Sequence, residues 1–199
     1  MKKLQSTWYN MSIVLTLISV VAGAALAYVN DVTYEPIRQI KEKQLQDGIK
    51  AVLSAEKVKI QSVDTLDGVI VYATNKGKAV QASDPNGFGG KLTVLVGFDR
   101  RGAIQGYRVL ESAETPGLGA KAAEWFQKGS KGSIIGMSSA KNNMTVKQDG
   151  GDVDAITAST ITSRAFLRCV NAAYEAFAKG AETETDGESG ATRQYEDNY

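Results

Sequence analysis

The sequence predicts an α+β domain, made of antiparallel β hairpins with helices packed against them and preceded by one N-terminal transmembrane helix. Three observations predict it. No residue between Lys3 and Asp31 is charged. Two pairs of short β-type runs follow, each folded about a turn. A stretch with apolar residues at helical spacing comes last before a polar tail. With 199 residues, 43% of them hydrophobic, the chain supports one main core and an appendage, but not two large cores.

The N-terminal run Met11–Val29 (MSIVLTLISVVAGAALAYV) has the length of a bilayer span, because about 20 residues at ~1.5 Å rise cross a ~30 Å hydrocarbon core. Trp8 and Tyr28 stand near its two ends, where amphipathic rings favour the headgroups, and Lys2 and Lys3 precede it. The amino terminus is therefore expected in the cytoplasm and the domain outside it. Ala25-Leu26-Ala27 has the A-x-A form of a cleavage site, so a cleaved signal peptide is the alternative reading. The apolar run is longer than the ~7–15 residues usual for a signal sequence, which favours an anchor.

After the span, Ile37, Ile40, Leu45, Ile49, Val52 and Leu53 recur at helical spacing, with Lys41, Glu42, Lys43 and Asp47 on the other faces. This predicts a juxtamembrane amphipathic helix within residues 31–60, residues 1–30 being the stub and span. The hairpins come next. Gly68–Thr74 pairs with Lys78–Gln81 about Asn75-Lys76-Gly77, and Leu92–Asp99 pairs with Ala103–Glu111 about Asp99-Arg100-Arg101-Gly102. A glycine-rich bend, Asp84 to Gly90, separates them, and the loop Glu114–Gly119 (ETPGLG) follows. Glu124–Phe126 suggests a short helix, and Ser133–Met137, Met144–Gln148 and Val153–Ile156 suggest short strands. From Ile161 to Ala178, Phe166, Val170, Ala173 and Phe177 mark one apolar helical face, with Lys179-Gly180 as a stop. Residues 61–180 thus form the expected domain. Residues 181–199 carry six acidic side chains and one Arg, too little apolar surface to offset ordering entropy, and are expected to be a disordered tail.

Composition removes many chemistries. Histidine is absent and Cys169 is the single cysteine, which excludes Ser-His-Asp and Cys-His catalysis, iron–sulfur clusters, His-ligated haem and the usual zinc sites. Lys and Arg total 23 against 22 acidic residues, so nothing in the charge argues for nucleic acid. Redox chemistry here calls for an organic cofactor. Cys169 falls on the apolar helical face and reads as core.

One segment stands out. Asp154-Ala155-Ile156-Thr157-Ala158-Ser159-Thr160-Ile161-Thr162-Ser163-Arg164 places five hydroxyls within seven residues just before a helix. The plain reading is an N-cap. The functional reading is an anion site, because a helix N-terminus offers free N–H donors and a positive dipole end to a phosphate. Arg164, one turn in, and Lys121, from the neighbouring loop, are candidate further donors.

Asp154-x-x-Thr157-Ala158-Ser159-Thr160 resembles the Asp-x-x-Ser/Thr-Gly-Ala-Thr acceptor motif of proteins to which a dedicated flavin transferase attaches FMN through a threonine phosphoester. Ile161-Thr162-Ser163-Arg164-Ala165 continues the similarity. So does Glu114-Thr115-Pro116-Gly117-Leu118-Gly119 with Lys121 after it. With the single span, the chain resembles the G subunit of the Rnf-type ion-translocating electron transport complex, within the FMN-binding domain family, over roughly residues 8–180. The C subunit of the sodium-translocating NADH:quinone reductase shares the features and ranks second. Ala158 stands where the motif usually has Gly, and Ser159 where it usually has Ala. An alanine at 158 carries strain if the backbone there needs φ > 0.

The resemblance implies covalent FMN on Thr160, with Asp154, Thr157, Ala158, Ser159, Ile161, Thr162 and Arg164 around the attachment. It also implies that Glu114, Thr115, Gly117, Leu118, Gly119 and Lys121 lie beside the flavin. It implies an electron-relay subunit that is not catalytic alone, passing electrons between ferredoxin and NAD through other membrane subunits of the complex, coupled to sodium or proton movement. The expected location is the bacterial inner membrane, with the FMN domain on the periplasmic or extracytoplasmic side. Two other readings stay open: a secreted FMN-dependent reductase released after Ala27, and a non-redox tethered binding module whose hydroxyls merely cap a helix.

Overall fold

A computed structural model of the chain describes residues 7–186. The chain divides into two units, one up to Gln44 and one from Leu45 onward. Helix α1, Trp8–Val52, covers both the segment expected to span and the segment expected to form a separate juxtamembrane helix. Its apolar stretch has a mean hydropathy of 2.2 with none of it buried, so it is long and apolar enough to cross a membrane. Ile37 and Ile40 on the expected amphipathic face are exposed, whereas Ile49, Val52 and Leu53 are buried.

The unit from Leu45 onward is organised by a five-stranded antiparallel sheet in sequence order: β1 Ile60–Leu66, β2 Val69–Thr74, β3 Gly77–Asp84, β4 Leu92–Phe98 and β5 Ile104–Ser112. Both expected hairpins are present, β2 with β3 and β4 with β5. At the second turn, Oδ1 of Asp99 accepts the N–H groups of Arg101 and Ala103 at 2.8 Å each, while Gly102 takes φ +77°, a conformation in which glycine has no steric penalty. Strand β1 is not among the elements expected from sequence. Its run IQSVDTL is an exposed to half-buried edge strand, and an edge strand facing water on much of its surface shows little apolar alternation.

β4 is buried at every position because both faces of the sheet are covered. On one face Val94, Val96 and Phe98 join Phe166, Val170, Ala173 and Phe177 of the last helix, Thr160–Asp186, here α3. On the other, Leu95, Ala79 and Tyr72 join Ile49, Val52 and Leu53 at the end of α1. Gly97 makes that second contact possible, since a Cβ there would collide with the Val52 carbonyl. Each fully buried aliphatic or Phe side chain contributes about 1.5–3 kcal/mol relative to exposure. A third contact fixes the connection between sheet and helix. Phe126 and Phe166 stack at 4.2 Å with rings 7° apart, while the Tyr107 hydroxyl donates to Ala122 O at 2.7 Å and accepts the Phe126 N–H at 3.1 Å. Burial holds that phenol well above its ordinary pKa, so it stays a donor.

Three expectations need correcting. Ser133–Met137, Met144–Gln148 and Val153–Ile156 form no strands; residues between Phe126 and Thr160 run through turns and a short 3-10 helix, Lys147–Asp149, with one isolated parallel bridge, Val146 to Val153. Their apolar side chains, Ile134, Met144, Val146, Val153 and Ile156, are buried singly, which reproduces a strand-like pattern without a ladder. The expected helix Glu124–Phe126 is the short helix α2, Ala122–Trp125. The last helix does not stop at Lys179-Gly180 but continues to Asp186. Gly180 is held there, its carbonyl accepting from Nζ of Lys78 at 2.9 Å, and Lys179 pairs with Asp67 at 2.9 Å. The rest of the expected tail lies outside the described residues. Cys169 is buried as expected, its thiol pushed up to about 12, mainly by burial.

Asp84, at the end of β3, binds Arg168 of α3 and also caps the following bend, Oδ1 accepting the Asn86 N–H at 2.7 Å. Burial alone raises its pKa, but the bonds from Arg168 and Asn86 outweigh that and hold the carboxyl below its ordinary value. A folded-state pKa below the unfolded one gives stability that is present above the unfolded value, near ~3.9, and lost as pH falls through the folded one. Thermal unfolding followed by circular dichroism should therefore show Tm dropping as pH falls below about 4. Asp84→Asn should flatten part of that drop and cost about 1 kcal/mol at pH 7, the half-exposed Arg168 keeping the loss at the lower end for a charged hydrogen bond.

Candidate functional site

The start of α3 is built by a turn that sorts its hydroxyls. Ser159 N–H donates to Ile156 O at 3.0 Å, closing a turn in which Ala158 takes φ +60°. Ser159 then occupies the N-cap position. Ser163 Oγ accepts the Ile156 N–H and donates to Ser159 O, both at 2.9 Å, and the hydroxyls of Ser159 and Thr162 hydrogen-bond at 2.9 Å. Ser159, Thr162 and Ser163 are buried. Thr157 is exposed and Thr160 is half-buried. Ser163 thus holds the backbone, Ser159 and Thr162 are bonded to each other, and Thr157 and Thr160 keep solvent-accessible surface. Thr160 is the first residue of α3, beside first-turn N–H groups that have no intrahelical acceptor. The conditional strain at Ala158 is therefore present, because a Cβ in the left-handed region costs roughly 1–2 kcal/mol.

The expected neighbours of Thr160 fall into two groups. The loop after β5 comes to the helix start: a Cβ on Gly119 would collide with the Glu114 carboxylate and stand 2.7 Å from Thr162 Oγ1. Within that loop Thr115 O accepts the N–H groups of Leu118 and Ala120 at 3.2 and 3.3 Å, and Gly117 takes φ +80°. Glu114 is buried, with neither carboxylate oxygen hydrogen-bonded. Leu118 and Ile161 are exposed apolar residues. Lys121 is exposed and makes no ion pair among the described residues.

The other expected residues are engaged elsewhere. Arg164 binds Asp149 through Nε and Nη2, both at 2.7 Å, which lowers the Asp149 pKa and raises that of Arg164. Much of its fork is thereby turned to the turn at Lys147–Asp149. Asp154 pairs with Lys147 at 2.8 Å, and its carbonyl accepts Trp125 Nε1–H at 2.9 Å. Asp154 thus braces the segment leading into the turn. The glycine-rich bend after β3 is not among the site residues expected from sequence, yet it reaches the site. A Cβ on Gly87 would stand 2.7 Å from Glu114 Oε1, and Phe88 beside it is 68% exposed. The cluster of glycines at 87, 89 and 90 was the available signal.

This geometry suits a flavin mononucleotide. The outward Thr160 and free N–H groups match a phosphate, and exposed Phe88 and Leu118 on the two loops that meet at Glu114 offer apolar surface to a ring.

Comparison with known proteins agrees. Residues 87–175 match the FMN-binding domain family. The chain is 30% identical to the G subunit of the ion-translocating oxidoreductase complex of Shewanella oneidensis, over 81% of this chain and 85% of that protein. The chain belongs to the family of G subunits of ion-translocating oxidoreductase complexes. It is also 29% identical to the G subunit of Shewanella loihica, over 92% of this chain and 95% of that one. The G subunit of the Na(+)-translocating ferredoxin:NAD(+) oxidoreductase complex of Acetobacterium woodii is 28% identical, over 88% and 96%. The FMN-binding match begins at the Gly87 bend and takes in the ETPGLG loop and the start of α3. In a member of this G-subunit family, the apolar stretch of α1 marks a membrane-anchored protein.

Ala158→Gly should relieve the left-handed strain, ~1–2 kcal/mol, against a smaller gain in unfolded-chain entropy of ~0.4–1 kcal/mol. The expected result is a Tm higher by ~1–4 °C in a thermal melt of the unloaded protein.

Proposed function

We propose that the chain is a membrane-anchored electron-relay subunit of an ion-translocating ferredoxin:NAD-type complex, carrying FMN as a phosphoester on Thr160. The observation that carries the reading is the sorting of hydroxyls at α3: Ser159, Thr162 and Ser163 are buried and committed to the backbone or to one another, and Thr160 is left half-buried at the helix's positive end. Bound FMN supplies one- and two-electron transfer. The chain's own residues position it. First-turn N–H groups of α3 and the outward Thr157 hold the remaining phosphate charge, Lys121 adds a cation from across the site, and Phe88 with Leu118 shields the ring. Arg164 contributes through Asp149, by fixing the adjacent turn, and Asp154 by bracing the approach to it.

A dedicated flavin transferase is the maturation partner, attaching the FMN phosphate to Thr160. Covalent tethering suits a domain outside the cytoplasm, where a lost flavin is not readily replaced. The proposed topology has the N-terminus in the cytoplasm, one span within α1 and the FMN domain outside the bacterial inner membrane. The proposed domain limits are residues 1–30, 31–60, 61–180 and 181–199, and the partners are the membrane subunits of the complex.

Thr160→Ala is expected to abolish covalent flavin while changing stability by under ~1 kcal/mol, since Thr160 follows the N-cap and alanine has the better helix propensity. In-gel fluorescence and intact mass of protein made with the transferase read this out. Flavin persisting on the variant would refute the attachment site.

A further inference from the structure

Glu114 is the one side chain among the described residues whose oxygens are both buried and without any hydrogen-bond partner. It is 8% exposed, and its neighbours are thin-walled. Gly87 stands on one side, with Oε1 2.7 Å from where a Cβ would lie, and Gly119 on the other, in a position where any side chain would collide with Oε2. Thr162 lies beyond Gly119, its hydroxyl already bonded to Ser159. A buried carboxylate without donors costs free energy that an ordinary core residue does not. The fold gains nothing by keeping it. The acceptor is therefore held ready for donors that arrive with a ligand.

We infer that Glu114 accepts hydrogen bonds from the pentitol hydroxyls of the flavin side chain and is a positioning residue for that stretch; the inference rests on FMN being attached at Thr160. Reach selects the pentitol. Glu114 lies across Gly119 from Thr162, two residues from the attachment point, and the group next to the phosphate is the sugar alcohol chain. The ring N–H lies at the far end. Vicinal hydroxyls supply paired O–H donors that suit the two oxygens of one carboxylate. Gly87 and Gly119 put no side chain of their own against the two oxygens.

The test uses the unloaded full-length chain in detergent, titrated with FMN and separately with lumichrome, which has the ring without the pentitol. Glu114→Leu should weaken FMN about 10-fold or more, the loss expected for a charge-assisted hydrogen bond. Lumichrome should bind as before, Glu114→Gln should be intermediate, and the unloaded Glu114→Leu protein should melt ~2–4 °C higher than wild type. Unchanged FMN affinity, an equal loss for lumichrome, or a lower Tm would each overturn the inference, the last by making Glu114 an ordinary structural contact. If Glu114→Leu fails to fold, Glu114→Gln decides by the same two titrations. Wild type that acquires no covalent flavin with the transferase would refute attachment at Thr160 instead, and the titrations would still decide the role of Glu114.

Discussion

The seating of α3 on β4 is the constraint from which the site follows. Phe166, Val170, Ala173 and Phe177 bury against Val94, Val96 and Phe98, so the helix cannot slide or rotate without exposing apolar surface worth several kcal/mol. Its first turn is thereby fixed relative to the sheet. The stacked Phe126 and Phe166, with Tyr107 bonded to both ends of α2, then fix the loop after β5 against that same turn. A cofactor tethered to Thr160 would inherit this rigidity, which is what a relay needs if its distance to partners is to stay constant.

Hydroxyl-rich helix starts serve two purposes, and here the purposes are divided between residues. Buried hydroxyls close the turn and satisfy donors that would otherwise be orphaned. Outward ones remain available for chemistry. The partition explains why a segment with five hydroxyls is not redundant: removing an inward one loosens the geometry that presents the outward one.

Much of the fold was legible because the hairpins and the α3 face follow simple periodicities, at β2 to β5 and at Phe166, Val170, Ala173 and Phe177. The errors have separate causes. Between Phe126 and Thr160, single apolar side chains such as Ile134 and Val153 plug the core from turns, and their spacing imitates strands. β1 went unread because an exposed edge has little pattern to show, and the α3 stop was misplaced because Gly180 is stabilised by Lys78, a residue far away in sequence. At the site, the motif residues of the ETPGLG loop and the α3 start were legible by type. The division of the hydroxyls was not, since it turns on the local backbone bend at Ala158, nor were the pairing of Arg164 with Asp149 and the arrival of the Gly87 bend at Glu114, which depend on contacts between separate segments.

The departure from the Gly-Ala pair of the acceptor motif also makes sense as a unit. Ala158 in the left-handed region costs roughly 1–2 kcal/mol that glycine avoids. Ser159 adds a hydroxyl that donates to Thr162 Oγ1 at 2.9 Å, a contact worth about 0.5–1.5 kcal/mol over alanine. The two replacements act in opposite directions on the same turn, with magnitudes that nearly cancel. A backbone that alanine alone would pull away from φ +60° is held there by the serine's contacts, so the presentation of Thr160 survives the loss of the glycine.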